Sequence, residues 1–378
     1  MDIQTVQDKV AALVAQWALQ RDERLRRTAL DPADFAALAE AGFNLTAVPA
    51  ALGGVWQGLE ASARPIAAMC RALARIDPSL SLVSTMHPTV LTAWSVRSEA
   101  PPANAADYDE QCTRVLGHAC DGAWFGTVSS EPGSGGDLWA TKTRAVPAED
   151  GTWRLTGDKH MGSGSGAMSF MITYAVPQGE MEPDIFLIDM RERPWDGSAG
   201  LTLVREWDGH GMAATQSHAF HFENLPAERH ALACGFSNLP RFMPASSYLF
   251  AAVTMGVLDA AFAEGKARLA RRVESLGAYE KMAWARAFNA NWLAGQAFEG
   301  MAAAIEAGTP MPAVQHGKLA IAELAETAMH ELSRAIGGSS FSRGNPFGQW
   351  AQDVRALGFL RPPWNLAYDG LAEATLAD

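Results

Sequence analysis

Hydrophobic periodicity switches twice along this chain, and the double switch restricts it to a β module set between two helical ones. Up to about residue 120, apolar residues recur at three- and four-residue spacing, as over 6–19, which predicts amphipathic helices. Asp31-Pro32 is a helix start, because an acceptor for orphan amides precedes a residue whose missing N–H costs nothing in a first turn. That helix is expected to stop at Gly42. Another is expected through 67–73, and Asp77-Pro78-Ser79 restarts one before Pro101-Pro102-Ala103-Asn104 breaks the regularity. From about 121 to 230 the chain turns to short β-rich runs at 141–146, 170–176, 184–188, 201–204 and 218–222. Runs of that length and spacing predict a small barrel or sandwich. Beyond about 240, long helices fit 245–273, 276–307 and 311–336, with a shorter one at 347–357, which predicts a bundle. The expected fold is α+β and multidomain, with a helical domain at 1–120, a β domain at 121–232 and a helical bundle at 233–378.

Composition narrows the function classes. Apolar residues are 48% and charged residues 19% of the 378, enough for well-formed cores. A formal net charge of −12 disfavours nucleic acid and anionic membrane as partners, since both reward a basic surface. Cys70, Cys112, Cys120 and Cys234 show no Cys-x-x-Cys spacing and read as small buried hydrophobes in a reducing compartment. With no basic, apolar leader at Met1–Thr5 and no uninterrupted apolar run of membrane-spanning length, the expected location is the cytoplasm.

Ser129-Ser130-Glu131-Pro132-Gly133-Ser134-Gly135-Gly136-Asp137 predicts a rigid polar loop whose backbone can press against a flat or anionic ligand. A second glycine-rich corner follows at Leu155-Thr156-Gly157-Asp158-Lys159 and Gly162-Ser163-Gly164-Ser165-Gly166. A Gly/Ser/Pro run alone is more often an ordinary surface turn.

The ordered set resembles the acyl-CoA dehydrogenase superfamily, whose middle domain carries Thr-Glu-Pro-x-x-Gly-Ser-Asp and then Gly-x-Lys-x-Trp-Ile-Thr/Ser. The likeness continues through Trp207 to Ser217, Ile336-Gly337-Gly338 and Asp353-Val354-Arg355. The resemblance implies a FAD flavoprotein. Thr127, Ser129 and Ser130 would sit on the first flavin-contacting strand, and Met161 and Ser163 on the second wall, where Met161 replaces the family tryptophan. For the dinucleotide tail, Arg272 falls on the family arginine. Gly337-Gly338 match a Gln-x-x-Gly-Gly segment in which Arg334 replaces glutamine. Flavin held between subunits would make the protein a homodimer or homotetramer.

The resemblance also exposes gaps. The usual catalytic glutamate, eight residues after Asp353, is Arg361, and the other branch's glutamate position is Ser246. Arginine cannot abstract a proton, although it could hold a carboxylate or enolate oxygen. Asp369 and Glu223 are the acids nearest the matched motifs in sequence. Gly136 stands where the family has a serine for the pantetheine arm, and His87 is a candidate for the substrate pocket, although a histidine so placed is more often a core or capping one. His210, His218 and His221 lack ligand spacing for a metal, and the overlapping glycine–serine pairs at 162–166 precede a strand and not the helix of a nucleophile elbow. Three readings follow. The first is a FAD-dependent oxidoreductase of the acyl-CoA dehydrogenase type, oxidising a CH–CH bond with hydride passing to flavin N5 and electrons to an electron-transfer flavoprotein. The second is a monooxygenase using reduced FMN or FAD from a flavin reductase, which needs no α-proton base. The third is a non-catalytic ligand-binding member of the fold.

Overall fold

A computed structural model describes residues 1–95, 105–232, 242–308 and 311–376. Six helices come first: α1 (Ile3–Trp17), α2 (Arg21–Arg24), α3 (Pro32–Glu40), α4 (Leu59–Ala74), α5 (Pro78–Ser95) and α6 (Ala105–Cys120). Asp31 caps α3 by accepting from Ala33 N, and Gly42 (φ 91°) turns the chain just beyond its end. Asp77 does the same for α5, taking Leu80 N at 2.9 Å. The expected break at 101–104 lies outside the described residues.

Seven strands follow: β1 (Phe125–Thr127), β2 (Arg144–Pro147), β3 (Trp153–Gly162), β4 (Phe170–Pro177), β5 (Asp184–Asp189), β6 (Leu201–Arg205) and β7 (His218–Arg229). Residues 141–143, expected in a strand, lie outside β2, because Lys142 N and the Thr143 amide and hydroxyl serve Glu131 instead of a ladder. Pairings run β4–β2–β3–β7–β5 and back to β4, so the sheet closes into a small barrel, with β1 parallel to β4 and β6 against β7. Every residue of β4 is buried; Phe170 stacks on Phe125 at 5.0 Å and on His118 of α6 at 4.9 Å. Each such side chain withdrawn from water contributes roughly 1.5–3 kcal/mol.

The last third holds α7 (Phe242–Ala270), α8 (Ala278–Glu306), α9 (Met311–Ile336), α10 (Phe347–Asp353), α11 (Ala356–Phe359) and α12 (Trp364–Leu376). Helix α7 is the hub, packed against α4, α5, α8 and α9. The expectation that no span-length apolar run exists is corrected here. Over an 18-residue window α7 reaches a mean hydropathy of 1.4, and 94% of that window is buried inside the protein. It is apolar all round because helices surround it. Gly256 lets α7 approach α4, since a Cβ there would lie 2.2 Å from the Arg71 carbonyl. Near the same crossing, Arg71 grips Asp259 at 2.7 and 2.8 Å. Cys70 is buried as expected, whereas Cys112 is half-buried and Cys120 exposed. Cys234 lies outside the described residues.

Candidate functional site

The two glycine-rich corners are joined by a buried ion pair. Lys159 Nζ donates to Glu131 Oε1 at 2.6 Å and to the Tyr174 carbonyl at 2.7 Å. Glu131 also accepts from Lys142 N, Thr143 N and Thr143 Oγ1. Burial pushes the Glu131 carboxyl up, but the Lys159 ammonium and these donors outweigh it and hold the group below its usual range. His160 N adds a 2.9 Å bond to the Ser130 carbonyl. The Glu-Pro and Gly-x-Lys motifs therefore act first as a strut that sets the spacing of the two corners.

Between the corners and the C-terminal helices lies a cavity of about 380 Å³, at the small end of ligand sites. Thr127, Ser129, Ser130, Met161, Ser163, Ser246 and Arg361 all line it. One side is rich in hydroxyls; the other is apolar, with Leu82, Met86, Phe242 and Phe250. The register of β3 against β7 slips between Lys159 and Gly162, and Met161 sits in that slip at φ 56°. The irregularity turns the chain from strand into the Ser163 corner.

Ser163 belongs to a hydroxyl chain. Its Oγ lies 2.7 Å from Ser217 Oγ, which lies 2.7 Å from Thr215 Oγ1, and Thr215 Oγ1 donates to the Met212 carbonyl at 2.8 Å. Each hydroxyl has one proton. Since Thr215 spends its own on a carbonyl, Ser217 donates to Thr215 and Ser163 donates to Ser217. Ser163 therefore turns lone pairs, not a proton, toward the cavity.

Arg361 enters from the segment between α11 and α12. Its Nη2 donates to Ser130 Oγ at 2.8 Å and its Nε to the Gly136 carbonyl at 3.4 Å. Lys318, almost wholly buried on α9, donates to the carbonyls of Leu360 and Pro362, the residues on either side of Arg361. Burial pushes the Lys318 ammonium down to about 7. Gly136 (φ +86°) packs so closely that a Cβ would lie 2.8 Å from Pro363 Cγ. It supports the Arg361 segment and is not part of the cavity wall.

Asp353 fixes the remaining wall. Its Oδ1 accepts from Met212 N at 2.6 Å, and Gly211 comes so near that a Cβ would lie 2.6 Å from the Gln352 carbonyl. Burial raises the Asp353 carboxyl to about 7. It anchors the 207–217 loop and does not line the cavity.

Several expected residues lie elsewhere. His87 is inside α5 and fully buried, so its assignment to the substrate pocket is corrected. Its Nδ1 accepts from Phe125 N at 3.1 Å, which places the proton on Nε2, 2.8 Å from the Asn44 carbonyl. Burial lowers its pKa to about 4, so it is a neutral link between helix and barrel. Arg272 pairs with Glu280 at 2.6 Å and donates to the Ala335 carbonyl; Arg334 pairs with Glu331 at 2.7 Å. With Gly337 and Gly338 they form a corner apart from the cavity wall. Glu223 and Asp369 are exposed. Sequence reasoning missed Thr215, Ser217 and Lys318, whose importance lies in contacts between distant segments.

Residues 126–225 match the family described as acyl-CoA dehydrogenase, middle domain. The chain has the acyl-CoA dehydrogenase fold. Dibenzothiophene monooxygenase of Rhodococcus erythropolis is 32% identical over 152 residues, a match spanning 36% of this chain and 36% of that enzyme. The matched part is thus a little over a third of that relative's length. L-evernosamine nitrososynthase of Micromonospora sp. is 25% identical over 95% of this chain and 86% of its own. The FMN-bound structure of TdsC from Paenibacillus sp. A11-2 superimposes with a TM-score of 0.80 at 18% identity, covering 98% of this chain and 97% of that one.

Proposed function

We propose that the chain is a cytoplasmic flavin-dependent monooxygenase, using reduced flavin delivered by a separate reductase. The observation that carries this reading is the make-up of the cavity wall, which contains no aspartate or glutamate among the described residues. Dehydrogenation next to a thioester carbonyl requires a base to take the α-proton. The two positions where the resemblance places that base hold Arg361 and Ser246, and both line the cavity. Oxygenation needs no such base. The similarity to a dibenzothiophene monooxygenase and a nitrososynthase supports the same choice.

The cavity suits a flat ring with a polar edge: Thr127, Ser129 and Ser130 offer hydrogen bonds on one side, and Ser163 closes the other corner. Reduced flavin would supply the two electrons that let dioxygen give one atom to the substrate and the other to water. The chain's own part is to hold the ring, exclude water with the apolar wall and present the Ser163 lone pairs. Arg272 and Arg334, where a FAD tail would need cations, already pair with carboxylates, which favours FMN. The exposed aromatic residues Tyr279, Phe288 and Trp292 of α8 support the expected homo-oligomer.

Mixing anaerobically reduced protein–FMN with oxygenated buffer tests the reading. A transient absorbing species distinct from oxidised and reduced flavin is expected, with no bleaching of oxidised flavin by an acyl-CoA panel. Bleaching by an acyl-CoA would return the assignment to dehydrogenation, and failure to bind flavin would leave the non-catalytic reading.

A further inference from the structure

Arg361 is half-buried, hemmed in by protein, and it lines the cavity. No carboxylate lies within ion-pair distance of it among the described residues; its two partners are the Ser130 hydroxyl and the Gly136 carbonyl. The nearby Glu131 is already committed to Lys159 at 2.6 Å. Three of the five N–H groups of Arg361 have no hydrogen-bond partner among the described residues. The other charged or titratable residues on the wall are Arg355 and His210, both exposed, and Tyr174, whose phenol burial keeps protonated, and none adds negative charge. In a chain with a net charge of −12, one cavity free of acids and holding an unpaired enclosed cation is a selective feature. Enclosing a charge without a counter-charge is costly, and a guanidinium recovers that cost best against a planar or tripodal oxyanion.

We propose that the substrate is a small organic anion with an apolar body, its carboxylate, sulfinate or sulfonate head held by Arg361 and Ser130 and its body lying against Leu82, Met86, Phe242 and Phe250. The proposal rests on the cavity being the reaction site argued above. The same guanidinium could instead meet the phosphate of FMN, so the test must separate these two sources of negative charge. The Ser130 hydroxyl accepts from Arg361, which leaves its own proton free to donate to the same anion.

The experiment uses the flavin-free full chain, with binding followed by thermal shift and by tryptophan fluorescence, since Trp207 lines the cavity. The probes are benzoate and benzenesulfonate, their neutral counterparts benzamide and toluene, FMN and riboflavin. The anions are expected to bind on the order of tenfold or more tightly than the neutral probes. Arg361→Met is expected to abolish that preference, Arg361→Lys to keep part of it, and FMN affinity to stay within about threefold in both. Equal binding of anions and neutrals, no binding of either anion, or an unchanged preference in Arg361→Met would overturn the proposal. So would a loss confined to FMN and absent with riboflavin, which would assign the cation to the flavin phosphate. Because the probe arms need no flavin, a protein that discriminates anions but binds no FMN would sink the monooxygenase reading and leave Arg361 as the anion anchor of a binding site.

Discussion

Lys159 and Glu131 meet at 2.6 Å with almost no solvent access, and through them the two loops that border the cavity are held at one separation. Replacing one member of such a pair strands the other's charge in the interior. Glu131→Gln is expected to cost about 3–5 kcal/mol in a denaturant titration. A loss under 1 kcal/mol would show that the strut is dispensable.

His87 makes stability acid-sensitive. Its pKa is about 4 in the fold against about 6.5 in an unfolded chain. Between those values the unfolded state binds more protons, so the His87 contribution is complete above pH 6.5 and is lost as pH falls toward 4. His87→Phe leaves Phe125 N and the Asn44 carbonyl without partners and is expected to cost about 2 kcal/mol or more at pH 7. Urea midpoints at pH 7 and pH 5 should show the gap between wild type and variant narrowing at the lower pH.

Lys318 behaves in the opposite pH range. Its ammonium is depressed to about 7, well below its unfolded value of about 10.4, so burial costs most below pH 7 and the cost fades as pH rises through that window. Lys318→Met lacks this slope. In melts at pH 7 and pH 9 the stability of wild type relative to the variant should rise with pH. The variant should also lose part of the benzoate preference, because the carbonyls flanking Arg361 lose their clasp. A variant that melts lower but keeps full preference would limit Lys318 to a structural role.

Ser217→Ala tests the direction of the hydroxyl chain. With its acceptor gone, Ser163 can turn its proton into the cavity. Oxidised flavin accepts at N5 and reduced flavin donates there, so the variant should shift relative affinity toward the oxidised form by about fivefold, the value of roughly one hydrogen bond. Equilibrium titrations with both redox forms under anaerobic conditions read this directly. An unchanged ratio would show that the chain does not set Ser163.

Much of the fold was legible because period and punctuation agreed. The Asp31 cap, the restart at Asp77, the bounds of α9 and the alternation of β7 all follow from local chemistry. The site was legible only where a motif carried it: the spacing of Gly157, Lys159 and Ser163 placed a corner, and counting from Asp353 placed Arg361. What stayed hidden is three-dimensional. Lys318 reads as one more helix charge until the carbonyls of Leu360 and Pro362 are seen around it. His87 reads as a pocket or a core residue alike until both its nitrogens are found spent on backbone. Residues 141–143 have a strand's composition, and only the Glu131 carboxylate explains why they are not one.

The cavity is assembled from segments far apart in the chain: Thr127 to Ser130, Met161 to Ser163, Thr215 to Ser217 and finally Arg361. During synthesis the β7 strand emerges well before Arg361, so the pocket stays roofless until the segment between α11 and α12 has been made. A chain cut before Arg361 would therefore have no affinity for the anionic probes, and ligand capture would report that this segment has joined the barrel.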